Sequence, residues 1–294
     1  MQGRKFDTFI IGQISRDINI DYDGAVIEEL GGAVVQSAYA AANTGHRVGV
    51  LPKSDLDDAE MVKVFSEAAN VTVYPVHSQS GTSIKNQYYT ADRERRVCTA
   101  ISMIEPYDIT EIPDVESEIY HIAGLMHGDI SGKIIEYISK KGKVAVDVQC
   151  FLRCAENGNM IFRNWEEMNK YLPLIDFLKT DAAEAQIMTG QTDRKEASKI
   201  LFSLGAKEIM ITHNAEVMVY DGVTTYVEPL KPKNLSGRTG RGDTCFSGYI
   251  TERINNNIED SLKFAAALVS LKMETPGPYK KTKDDVIKFI KEYY

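Results

Sequence analysis

The sequence predicts an α/β protein in which a mainly parallel sheet is covered by helices on both faces and carries a small β-sheet lid. Three observations predict it. Short apolar, strand-like runs alternate with helically periodic segments along most of the chain, the rhythm of repeated strand–helix units. Two stretches, 17–30 and 83–103, alternate without helical period and offer too little apolar surface for a core of their own. The chain has 294 residues, 43% hydrophobic and 26% charged, an ordinary globular composition with enough material for a sizeable core.

The elements follow in order. Residues 8–12 form a buried strand, and the Ala-rich stretch 34–43 a helix with Gly45 as its C-cap. Strand 48–51 precedes helix 57–69, whose Asp57 and Asp58 suit the positive end of a helix. Strands are predicted at 71–74, 119–122, 144–146, 175–178 and 209–211. Helices are predicted at 130–140, 165–171, 182–188 and 196–204. The stretch 83–103 reads as a hairpin turning at Ala91-Asp92-Arg93-Glu94 and pairing with 17–30 as the lid. The C-terminal part becomes helical: 243–255, 258–273 and 283–293. We read 1–294 as a single domain, with the lid inserted from about 13–30 and 76–105.

Composition also excludes. Subtracting 42 acids from 34 bases gives a net charge of −8, which argues against nucleic-acid binding and against docking on anionic lipid. A small site can still be locally positive. No apolar run approaches the ~18 residues of a membrane helix, so no membrane partner is expected. Met1 to Asp7 is polar, unlike a signal peptide. Cys98, Cys150, Cys154 and Cys245 complete no zinc spacing and read as reduced thiols of a cytoplasmic protein.

The most informative stretch is Ser236-Gly237-Arg238-Thr239-Gly240-Arg241-Gly242-Asp243, with a helical pattern directly after it. A glycine-rich turn feeding a helix N-terminus points several N–H groups one way and makes an anion site. A carboxylate there has two readings. Asp243 caps the helix, or it faces a substrate hydroxyl and takes its proton while the N–H groups hold a phosphoryl group.

The segment Thr239-Gly240-Arg241-Gly242-Asp243-Thr244-Cys245-Phe246-Ser247-Gly248 resembles the C-terminal signature of the ribokinase-like sugar kinases, the phosphofructokinase-B family, whose usual form is Thr-Gly-Ala-Gly-Asp-x-Phe. Gly31-Gly32 before an Ala-rich helix resembles the family's Gly-Gly motif, and Asp17 its sugar-binding Asp. Asp181-Ala182-Ala183-Glu184 resembles its Asn-x-x-Glu motif. The resemblance covers nearly the whole chain and implies a three-layer αβα, Rossmann-like fold. It further implies ATP-dependent phosphorylation of a hydroxyl on a sugar or sugar-like polyol. Asp243 would be the general base, and the N–H groups of Gly240, Arg241, Gly242 and Asp243 the anion hole. Asp17, Gly31, Gly32 and Gln36 would grip the acceptor. Thr212, Glu184 and Asp181 would face the cofactors ATP and Mg²⁺, with Glu184 reaching the metal through water. A homodimer through the lid is also implied.

Departures from the family pattern are visible too. Arg241 replaces the usual Ala, pointing at the donor phosphates or outward, and Asp181 replaces Asn. Gln36 stands where many members have Asn, and 213–216 lacks the glycines often found beside the nucleotide. These motivate two alternatives, a nucleoside kinase of the same fold and a non-catalytic sugar- or nucleotide-binding regulator. A dinucleotide-dependent dehydrogenase fails, because no Gly-x-Gly-x-x-Gly follows the first strand. Arg93-Glu94-Arg95-Arg96 reads as a solvated hairpin tip, or as a source of an arginine for an anionic substrate on lid closure. Arg153, just after a strand, reads as a ligand contact or as surface packing. His121 reads as packed against a strand edge and His127 as loop.

Overall fold

The computed structural model describes residues 5–90 and 95–294. The strands are β1 (Lys5–Gln13), β2 (Ser15–Ile20), β3 (Val26–Gly31), β4 (Val48–Ser54), β5 (Val71–Val73), β6 (Val76–His77), β7 (Thr82–Tyr88) and β8 (Arg96–Ser102). They continue with β9 (Glu116–Ile122), β10 (Lys143–Asp147), β11 (Arg153–Glu156), β12 (Asn159–Phe162), β13 (Phe177–Asp181), β14 (Glu208–Thr212), β15 (Glu216–Tyr220) and β16 (Thr225–Pro229). The helices are α1 (Ala33–Asn43), α2 (Asp58–Val64), α3 (Gly132–Ile138), α4 (Gln149–Leu152) and α5 (Met168–Tyr171). α6 (Ala182–Thr189), α7 (Arg194–Ser203), α8 (Arg241–Glu252), α9 (Ile258–Met273) and α10 (Lys283–Tyr293) complete them.

The main sheet runs β16-β15-β14-β13-β10-β9-β1-β4-β5, with β6 also on β4. From β5 to β14 every pairing is parallel, as expected, whereas β14–β15–β16 form an antiparallel edge that the sequence reading omitted. Strand residues alternate between two helical layers. Phe9 and Ile11 pack with α3, while Ile10 packs under α1. Ala145, Phe177 and Met210 pack under α8 and α9. This is the expected three-layer αβα, ribokinase-like arrangement.

The second sheet runs β11-β12-β8-β7-β2-β3. The stretches expected to pair do so, since β2 lies parallel to β7 and antiparallel to β3. The hairpin β11–β12 is an addition. It turns at Asn157-Gly158, both at positive φ (50° and 81°), and joins the sheet through Asn159 opposite Thr99. The expected inserted segments need one correction: β6, within 76–105, pairs with the main sheet instead. The turn expected at 91–94, with Arg93 and Glu94 of the charge run, lies outside the described residues. The helix expected over 57–69 also ends early. It starts on a capping box between Asp57 and Glu60, but from Phe65 the chain tightens into a turn in which the Phe65 N–H donates to Val62 O (3.1 Å).

Parallel strands place their C-terminal ends along one rim. Chain order reverses between β4 and β9 on either side of β1, and ligands bind at such a switch point. Gln13, Asp147, Asp181 and Thr212 each end a strand at this rim. No helix among the described residues is long and apolar enough to cross a membrane.

Candidate active site

The glycine turn is pressed onto the end of α9. Gly237 has no room for a side chain, because a Cβ there would lie 1.8 Å from the carbonyl oxygen of Thr275. Its N–H donates to Met273 O at 2.8 Å. Gly240 then adopts a left-handed conformation (φ 76°) as the N-cap of α8, where a Cβ would lie 2.4 Å from Cδ of Gln36. The cap position is thus a glycine, and no side chain caps α8. Asp243 lies in the first helical turn, so the capping reading is set aside. The N–H groups of that turn have no intrahelical acceptor and carry the positive end of the helix dipole. One of the four expected anion-hole donors departs from this, since the Arg241 N–H makes a long bond (3.4 Å) back to Arg238 O.

Beneath the turn lies a lysine that the sequence reading missed. Lys179 on β13 is buried, and its Nζ donates to Asp147 Oδ2 at 2.8 Å. A Cβ on Gly242 would lie 3.3 Å from this Nζ, so the glycine lets the ammonium reach the head of α8. Burial alone pushes the Lys179 pKa down, but the carboxylates of Asp147, Glu184 and Asp243 prevail and hold it above its ordinary value. Asp243 is raised, first by desolvation in the cleft and then by Asp147, while Lys179 and Arg153 oppose. Glu184 is raised by burial and by Asp147 and Asp181, against Lys179. A carboxyl raised in this way is better matched to taking a proton near neutrality.

Among the residues expected to grip the acceptor, Asp17 accepts from Ser15 Oγ (2.8 Å), and its Oδ2 lies 3.1 Å from where a Cβ on Gly31 would be. Gly32 caps α1 at φ 107°, with Gln13 O 2.5 Å from its missing Cβ. α1 carries Gln36 to Gly240, and the Gln36 Oε1 is buried without a hydrogen-bond partner among the described residues. It is an acceptor waiting for a donor. α1 and α8 are tied by Ser247 Oγ to Ser37 O (2.7 Å). On the face of the small sheet that holds Asp17, Cys98 Sγ donates to Asn86 Oδ1, Asn86 Nδ2 to Asn19 Oδ1 and Asn19 Nδ2 to Glu29 Oε1, each at 3.1 Å.

Among the residues expected to face the donor, Thr212 pairs with Asp181 across β14–β13. Asp181 caps α6 in a reciprocal box with Glu184: each side chain accepts the other's N–H at 2.8 Å. Both keep a second carboxylate oxygen, a hard donor suited to Mg²⁺. The described residues contain no group of three or more His, Cys, Asp or Glu able to hold a metal alone. Arg241 is anchored near the surface, where its Nη2 donates to Asn214 Oδ1 in the β14–β15 turn.

Arg153 is packed within the protein. Its Nη2 donates to Gln149 Oε1, its guanidinium lies 5.9 Å from the centre of the Phe162 ring, and its charge opposes the rise of the Asp243 pKa. His121 is packed as expected, but on the interior strand β9 rather than at an edge, edge-on to Phe246. Burial drives its pKa down to about 3, so it is neutral. Lys272 on α9 is the second site residue missed. It is buried, and its Nζ donates to Gly237 O (2.7 Å) and to Thr239 O. Burial pushes its pKa down to about 8 against the pull of Asp243 and Glu29.

The profile of the pfkB family carbohydrate kinases matches residues 8–285. A pyrophosphate-dependent kinase of the ribokinase family, solved with sulfate, is 34% identical and superposes with a TM-score of 0.87, over 95% of this chain and 99% of that one. Such a kinase with a pyrophosphate analog and myo-inositol is also 34% identical (TM-score 0.86; 96% and 99% covered). The cytidine kinase of Thermococcus kodakarensis is 25% identical over 252 residues, 83% of this chain and 87% of that protein. Arabidopsis thaliana ribokinase with ribose and ATP shares the fold at 14% identity (TM-score 0.75; 98% and 99% covered). The chain belongs to the pfkB family, and it is a ribokinase-fold phosphotransferase with a hydroxyl group as acceptor.

Proposed function

We propose that this pfkB-family kinase transfers a phosphoryl group to one hydroxyl of a cyclic, sugar-like polyol of the inositol class, with Asp243 as general base. The carrying observation is that Asp243 stands in the first turn of α8 without capping it, beside Lys179 and a glycine turn rich in N–H donors. Asp243 takes the hydroxyl proton as the oxygen attacks. The N–H groups of Gly240, Gly242 and Asp243 bear the charge of the transferred phosphoryl, and Lys179 offsets the carboxylates around it. Asp17, the Gly31-Gly32 turn and the Gln36 Oε1 bind the acceptor's hydroxyls. Glu184 and Asp181 would hold Mg²⁺ through water, and the ion would neutralise charge on the donor phosphates.

For the donor we propose pyrophosphate ahead of ATP. Two observations support this. The relatives at 34% identity are named as pyrophosphate-dependent, and Arg241 reaches across to Asn214 where the family's nucleotide-side glycines are missing. The small sheet serves as the lid. Its Val26, Leu30, Val97 and Ile101 are exposed, and a second copy covering them would give the expected dimer, which sedimentation would show.

The test is product release from pyrophosphate or ATP over a panel of inositols, pentoses, hexoses and nucleosides. An inositol with pyrophosphate is the expected best pair, and Asp243→Asn should lower its turnover by about 10²–10⁴-fold. Near wild-type turnover of Asp243→Asn would remove the assigned base. Cytidine as the best acceptor would favour the nucleoside reading that the Thermococcus relative supports. Ligand binding without transfer across the whole panel would favour the regulator.

A further inference from the structure

The N–H groups of the anion hole are only as well aimed as the peptide planes that carry them. A trans peptide is planar, so its C=O and N–H point in opposite directions. The plane that presents the Gly240 N–H is the one whose carbonyl belongs to Thr239. That carbonyl is held by Lys272 Nζ, which also holds Gly237 O at 2.7 Å. Holding one end of the plane therefore fixes the direction of the other. A positive charge on the carbonyl oxygen also draws electron density from the amide and makes its N–H a stronger donor. Lys272 is 2% exposed, and its carboxylate neighbours at longer range are Asp243 and Glu29. A full charge removed from water and bonded to main-chain carbonyls is expensive. It is also the coordination chemistry of a bound K⁺ or NH₄⁺, supplied here by a side chain rooted in α9.

We propose that Lys272 is a positioning residue for phosphoryl transfer, a built-in monovalent cation that aims and strengthens the Gly240 N–H, so that the protein needs no K⁺ or NH₄⁺ at this place. The inference rests on the kinase reading for its consequence in catalysis, but not for its consequence in anion binding. A lysine needed only for folding would change stability. This one also changes affinity for the phosphoryl donor, and a free cation replaces it.

The experiment uses the full chain and two readouts. Calorimetry measures binding of pyrophosphate and of sulfate, and turnover is measured with the best donor and acceptor. Each is done in choline chloride and in KCl or NH₄Cl at equal ionic strength. Wild type should behave alike in all three salts. Lys272→Met in choline chloride should lose on the order of 10²-fold in kcat, the size expected when reacting groups are misaimed. It should bind pyrophosphate at least about tenfold more weakly, with little change in acceptor KM. KCl or NH₄Cl should restore most of both losses. Unchanged binding and turnover in Lys272→Met overturns the proposal, as does a loss that neither cation repairs. If Lys272→Met does not fold, Lys272→Gln and the wild-type salt series decide, and a wild type that requires K⁺ overturns the proposal. A wild type that binds pyrophosphate but transfers no phosphoryl would sink the kinase reading alone, because the binding arms still test Lys272.

Discussion

Replacing Lys179 by Met removes the only ammonium bonded to Asp147 among the described residues while keeping nearly the same volume. The side chains of Lys179 and Asp147 are 7% and 3% exposed and meet at 2.8 Å. At that distance an effective dielectric of ~20 gives an attraction of about 6 kcal/mol, part of which desolvation of the two charges cancels. Truncating one partner of such a pair typically costs about 3–5 kcal/mol, because the other charge stays buried and alone. Here Glu184 and Asp243 lose the same cation, which places the variant toward the upper end. For a chain of this size 1 kcal/mol is roughly 2 °C in Tm, so a loss of about 4–5 kcal/mol should lower the midpoint by about 8–10 °C. The assay is thermal unfolding followed by circular dichroism, with urea titration as a check. Lys179→Met combined with Asp147→Asn should recover at least half of the loss, since the stranded charge is gone. The deficit of the single variant should also shrink as pH falls and the carboxylates take up protons. A single variant within 1 °C of wild type, or a double variant no better than the single, would refute the reasoning.

Gly240→Ala places a Cβ in a left-handed residue and against Gln36. It should cost about 1–2 kcal/mol, read as a Tm loss of a few degrees, and should weaken pyrophosphate binding more than acceptor binding. Asp129 supplies a pH prediction. Its carboxylate accepts from Gln13 Nε2 and from the N–H groups of Leu125 and Met126, yet burial raises its pKa from 3.8 to about 6. A raised carboxyl contributes stability that is fully present below the unfolded pKa and is lost as pH rises through the folded one. Between pH 4 and 6 wild type should therefore lose up to ~3 kcal/mol relative to Asp129→Asn. Urea midpoints of the two proteins across that window check it, and parallel curves would count against it.

Much of the fold is legible because burial writes itself into periodicity. The runs at 8–12, 48–51 and 144–146 are apolar on both faces, as a covered parallel strand must be. α9 carries its Ala-rich buried face in plain view. The edge strand β15 was lost because Glu216 to Tyr220 joins an apolar centre to polar ends and is followed by a polar strand. The hairpin β11–β12 did leave a signal: Asn157-Gly158 between short alternating runs is the strongest local mark of a two-residue turn. At the site, Asp243, Gln36, Asp181 and Glu184 stand in recognisable spacing. Lys179 and Lys272 do not, because an isolated lysine is usually a surface residue and only tertiary packing buries its ammonium. A faint sign existed for Lys179, which interrupts the otherwise apolar start of β13.

A carboxylate at an anion hole looks self-defeating, since it repels the group the N–H donors attract. The arrangement resolves this in space and in time. In space, three of the carboxylates share a fixed cation, since Lys179 is bonded to Asp147 and acts on Glu184 and Asp243, while Lys272 holds the carbonyls of the glycine turn and Arg241 is bonded to Asn214. In time, the repulsion fades when it would matter most. In the proposed transfer, as the acceptor hydroxyl attacks, its proton moves to Asp243, and the carboxylate becomes a neutral acid while charge builds on the phosphoryl oxygens. Asp147, by raising Asp243, makes that proton uptake less uphill, and through Lys179 it also keeps a positive charge beside the transferred group. One buried ion pair thus tunes both the base and the field in which it works. On this proposal the base and the anion hole can share the first turn of a single helix because the proton and the phosphoryl charge arrive there in step.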